Sequence, residues 1–148
     1  MIKWLYMAVA VLAGAAMALQ GTMNAVLGKV VGLWESTLLV HAVGTVTVLA
    51  VLVLGGIGFS GLSKTGQAPW YVYMGGVLNV VIIYAVAKSI PQVGVGNATT
   101  AIVVAQTLTA VIIDHLGLMG LTRYPFASKD LLGIALMAVA ARILIHNK

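Results

Sequence analysis

The sequence predicts an all-α integral membrane protein, a single domain of five transmembrane helices. Three observations carry that reading. Hydrophobic residues make up 61% of the 148 and charged residues 7%, against roughly 25% charged in soluble domains. Mean hydropathy is +1.10. The apolar residues also gather into runs near the ~20 residues that cross a bilayer. Too little polar surface exists to coat a water-facing globule, so the solvent is lipid.

The first span is read over residues 4–27. Lys3 gives the amino terminus a signal-like look, but the apolar run outlasts the ~7–15 residues of a signal-peptide core, which favours a retained helix. Residues 36–54 form the second span, after a short connection holding Lys29 and Glu35. The Gly- and Ser-rich stretch GGIGFSGLSKTGQAP reads as a flexible loop. The third span, 70–87, starts after Pro69. KSIP then reads as a turn, with Pro91 as the first residue of the next helix. The fourth span covers 93–113, a loop follows over 114–130, and the fifth span, 131–145, is short and carries Arg142. Trp4, Trp70, Tyr71, Tyr73 and Tyr124 fall near span ends, where amphipathic rings favour the interface.

Composition excludes several classes. Without cysteine there are no disulfides and no thiolate chemistry. The net charge of +5 comes from scattered residues, with no basic run to follow a nucleic acid. No Ser/His/Asp set, metal-ligand cluster or phosphate-cradling loop is apparent, so neither an enzyme nor a cofactor is expected.

Five spans place the termini on opposite faces. Lys3, Lys64, Arg123 and Lys129 then lie on one side, and Lys29, Lys88, Arg142 and Lys148 on the other. Lys/Arg asymmetry sets orientation, and here it vanishes. The expectation is dual topology, with oppositely inserted copies pairing as an antiparallel homodimer.

Polar residues inside the spans are the site candidates, because an unpaired amide in hydrocarbon costs several kcal/mol. Gln20 and Asn24 are four apart on one face of the first helix. Either they line a substrate path or they bond to a neighbouring helix. Ala10, Gly14, Ala18, Gly21, Ala25 and Gly28 have the spacing of close helix packing. His41 shares a face with Thr37 and Thr45, and Trp34 extends it. It is either a ligand or proton-carrying group or a bonded packing residue. Asn79 follows two glycines in the third span. Asn97, Thr99, Thr100, Gln106 and Thr107 give the fourth span a polar stripe, which must meet protein or water. Glu35 is either a coupling acid or a carboxylate at a positive helix end.

ALQGTMNAVLG in the first span, Val43–Thr45 in the second, and above all AQTLTAVIIDHLGLMG from Ala105 to Gly120 resemble the small YdcZ-type bacterial proteins. Those form a branch of the drug/metabolite transporter superfamily, and the resemblance covers essentially the whole chain. It implies a half-transporter of the bacterial cytoplasmic membrane, completed by an inverted second copy and working by alternating access. The matching positions are Gln20, Asn24, Gly44, Gln106, Asp114, His115 and Gly117. His41 and Asn79 depart from the pattern, which has an aromatic and a glycine there in many relatives.

The expected function is therefore a secondary transporter or exporter of a small organic solute. Gln20, Asn24, His41, Asn79, Asn97, Thr99 and Gln106 are the cavity candidates, and Glu35 or His41 the coupling candidates. A passive pore and a non-transporting scaffold subunit are the alternatives.

Overall fold

A computed structural model describes residues 2–145 and is helical almost throughout. Helices α1 (Ile2–Val31), α2 (Leu33–Leu54), α3 (Met74–Val93), α4 (Val95–Leu116) and α5 (Ser128–Leu144) follow in order. Short 3₁₀ segments occupy Ser60–Gln67, Trp70–Tyr73 and Leu118–Gly120. The chain divides into two compact units, Met1–Pro91 and Gln92–Lys148. Lys148, one of the residues in the charge balance, lies outside the described residues.

Helices outrun the apolar runs because single glycines break them. Gly32, at φ 98°, separates α1 from α2, and Gly94, at φ 84°, separates α3 from α4. These left-handed backbone angles suit glycine and cost other L-residues. Two sequence expectations are corrected here. Pro91 does not open the fourth helix; it sits in the last turn of α3, which runs on to Val93. The long linker is not structureless either, since Ser60–Gln67 winds into 3₁₀ turns and the Tyr73 hydroxyl donates to the Thr65 carbonyl.

In the first unit, α1 and α3 meet where α1 has no side chain. A Cβ on Gly21 would stand 2.8 Å from Val86 Cγ1 and 3.2 Å from Ile90 Cδ1. One on Gly28 would stand 3.0 Å from Leu33 Cδ2. Ala25, Ile83, Ala87 and Ile90 are buried and form the core of this unit. The small-residue stripe is thus used only in its second half. A Cβ on Gly14 would meet nothing, and residues 3–17 are exposed throughout.

Four helical stretches among the described residues are long and apolar enough to cross a membrane: Lys3–Val31, Leu33–Leu54, Trp70–Val93 and Val95–Leu116. α5 has 17 residues, about 25 Å at 1.5 Å per residue, against a hydrocarbon core near 30 Å. Its start is tied down: Ala127 N–H donates to Asp130 Oδ2 at 2.7 Å. Alanine has no acceptor to return the bond, so this is half of a capping box.

Candidate functional site

The first unit brings together two of the candidates. His41 Nδ1 lies 2.7 Å from the Thr37 carbonyl, and His41 Nε2 lies 3.0 Å from Asn79 Nδ2. A carbonyl oxygen can only accept, so Nδ1 carries the ring proton. Nε2 is then the lone-pair nitrogen and accepts from the Asn79 amide. His41 is the ninth residue of α2 and Asn79 the tenth of the stretch Trp70–Val93, so the pair sits close to mid-depth. His41 is half-buried and Asn79 exposed.

About two turns toward the Lys88 end of α3, Trp34 stacks on Tyr84 with ring centroids 4.4 Å apart and planes at 28°. Lys88 Nζ lies 5.8 Å from the Tyr84 centroid, a cation–π arrangement. Residue 34 meets 84 and 41 meets 79, so α2 and α3 run antiparallel and both contacts lie along one seam.

The α1 candidates part company. Asn24 is 5% exposed, whereas Gln20, one turn earlier, is exposed. Buried beside the α1–α2 connection, Ser36 and Thr37 both donate to the Leu33 carbonyl, at 3.0 and 2.8 Å. Glu35 stands in the first turn of α2 and is exposed. Its Oε2 lies over Gly32, where a Cβ would come within 2.3 Å of it. That places a carboxylate at the positive end of α2 without a side-chain cap bond.

In the second unit, Asn97 and Thr99 are half-buried and Gln106 is exposed at the middle of α4. The polar stripe needs revision. Thr107 and Thr109 donate to the carbonyls of Val103 and Ala105, at 2.9 and 2.8 Å. These hydroxyls are satisfied by their own helix and do not by themselves require water or a partner. The amide of Gln106 cannot be dismissed on that ground.

The Asp114–Gly117 stretch closes a loop. Gly117 ends α4 at φ 62°. Tyr124 N–H donates to the Asp114 carbonyl at 2.9 Å and Arg123 Nε to the His115 carbonyl at 2.8 Å. Phe126 N–H donates to His115 Nδ1 at 3.0 Å, and the two rings meet edge to face. A cation on the last carbonyls of a helix is favourable. His115 and Arg123 thus fasten the connection between α4 and α5. No group of three metal-ligating side chains occurs among the described residues.

A family model described as "Putative inner membrane exporter, YdcZ" matches residues 5–143. No curated protein and no solved structure matches the chain.

Proposed function

The chain belongs to the YdcZ family of inner-membrane exporters, a transporter family and not an enzyme family, and on that premise we propose that it is half of an alternating-access carrier for a small organic solute. It is a multi-pass protein of the inner membrane. In the proposal it is a branch of the drug/metabolite transporter superfamily, α5 serves as a fifth span, and two oppositely inserted copies form the working unit. In the proposal Gln20, His41, Asn79, Asn97, Thr99 and Gln106 supply the polar groups offered to solute, as in transporters built from inverted repeats, while Asn24, buried within its own unit, serves packing.

The observation that supports this best is an unmet need. Gln20 and Gln106 lie well inside apolar helices and are exposed. Lipid offers them no hydrogen bond. A second copy, or water held between copies, meets the need at both positions, and the even charge split permits that copy to be inverted.

A reporter fused to the carboxyl terminus tests the inversion. Comparable signals from both membrane faces are expected, and signal from one face alone would remove the homodimer. Saturable counterflow of solute in proteoliposomes tests the carrier. Unsaturable flux would point to a pore, and no flux of any solute to a scaffold.

A further inference from the structure

We propose that His41 and Asn79 form a proton-driven amide switch, in which protonation of His41 rotates the Asn79 side chain and exchanges the hydrogen-bonding edge it offers to a solute. The inference rests on the carrier reading for its use in transport, but the switch itself does not require it.

The argument starts from the fixed nitrogen. His41 Nδ1–H is held by the Thr37 carbonyl one turn earlier on the same helix, so the ring has one nitrogen left to change. In the neutral ring Nε2 accepts, and Asn79 turns its NH₂ group toward it. That leaves the amide oxygen Oδ1 as the group directed away from the imidazole. When Nε2 takes a proton from water it becomes a donor. Two donors then face each other at 3.0 Å, which is repulsive. Half a turn about the terminal bond of Asn79 relieves this. Oδ1 comes to accept from Nε2–H, and the NH₂ group swings to the other side. No bond other than Nε2–H is made, and the proton is the sole reactant.

Asn79 is exposed in the protomer, so nothing in its own unit blocks the turn of the amide, and in the carrier reading its outer edge faces the chamber. At high pH the outer edge accepts hydrogen bonds and favours a solute that donates them. At low pH it donates, beside a positive imidazolium, and favours a solute that accepts them or carries negative charge. The charged groups on the three helices of this unit are remote. Lys3 and Lys29 stand near the two ends of α1, Glu35 is six residues before His41, and Lys88 is nine residues after Asn79, about 9 and 14 Å along the helix axes. Tyr84, five residues from Asn79, is stacked on Trp34. No charged side chain on these helices lies within a turn of the pair, so the proton on His41 is the local change in charge.

Solid-state or solution NMR of the full chain in lipid nanodiscs, with ¹⁵N-labelled histidine and asparagine, tests this. At high pH His41 is expected as the Nδ1–H tautomer. On acidification both ring nitrogens become protonated, and the Asn79 side-chain NH₂ resonances shift with the same midpoint. In His41→Gln the Asn79 resonances lose their pH dependence. Asn79 signals that stay still while His41 titrates would overturn the switch. So would an Nε2–H tautomer at high pH, or a ring that never changes state while the protein stays folded. These are readings on wild-type protein, so they hold even if a variant fails to fold. A switch that passes them in a protein without solute flux would leave the inference standing and count against the carrier reading.

Discussion

His41 and His115 stand in different units and use their rings in opposite ways. His41 holds its Nδ1–H on its own helix and accepts a side chain from another helix at Nε2. His115 accepts a backbone N–H at Nδ1, which leaves the ring proton of its neutral form on Nε2, and its carbonyl takes Arg123. One joins two spans near mid-depth through groups that can rearrange. The other ties a loop to a helix end through backbone groups that must stay paired. A histidine in the more recognisable motif can be scaffold, while a solitary one within a span carries the adjustable contact.

Substitutions can break that contrast. Gly117→Val should do most damage. It forces a β-branched residue into φ 62°, with a Cβ 3.1 Å from that of Arg123, and should cost about 2 kcal/mol or more. A thermal melt of purified protein in detergent reads this, and an unchanged midpoint would remove the loop from the scaffold role. Next comes His41→Ala. Its melt should move little, since hydrogen bonds between membrane helices average about 0.6 kcal/mol. Flux per folded molecule should fall about tenfold, equivalent to ~1.4 kcal/mol. Equal flux would put His41 back among packing residues.

His115→Ala should do the reverse. It should lower stability by about 1 kcal/mol for one lost hydrogen bond and leave flux per folded molecule in place. Glu35→Gln should have the smallest effect, about 0.3–1 kcal/mol from the helix end, with the pH dependence of transport retained. Loss of that dependence would shift coupling from His41 to Glu35.

Much of the fold was legible because hydrocarbon runs need no partner to be recognised. Four apolar helical stretches, Lys3–Val31, Leu33–Leu54, Trp70–Val93 and Val95–Leu116, overlap the runs read at 4–27, 36–54, 70–87 and 93–113, with the fourth starting two residues later and three running on past the expected ends. The excess was not legible, because polar residues such as Lys29 and Lys88 continue a helix as readily as apolar ones, and the stops are set by glycines at positive φ. Pro91 misled for a related reason: it forfeits its N–H bond and crowds the carbonyl four residues back, but only two further residues of α3 follow it.

The site was legible as a set of polar residues within spans but not as a geometry. Thr107 and Thr109 look alike in sequence whether they face water or bond back to their own helix. The His41–Asn79 bond joins residues 38 apart on two different helices, a separation that no spacing within one helix reveals. Phe126 finds His115 at a separation of 11 residues, across a helix end, a 3₁₀ turn and an extended loop, which no periodicity reveals.

The central claim, that an inverted copy covers the exposed mid-span amides, is tested most directly by pulsed electron spin resonance between copies in lipid. The cysteine-free chain accepts single labels at Val95 and at Leu116, the two ends of α4, about 32 Å apart along the helix. An antiparallel pair predicts a shorter distance in dimers mixing one label of each kind than in dimers labelled twice at the same position. A shorter distance between like positions would contradict it.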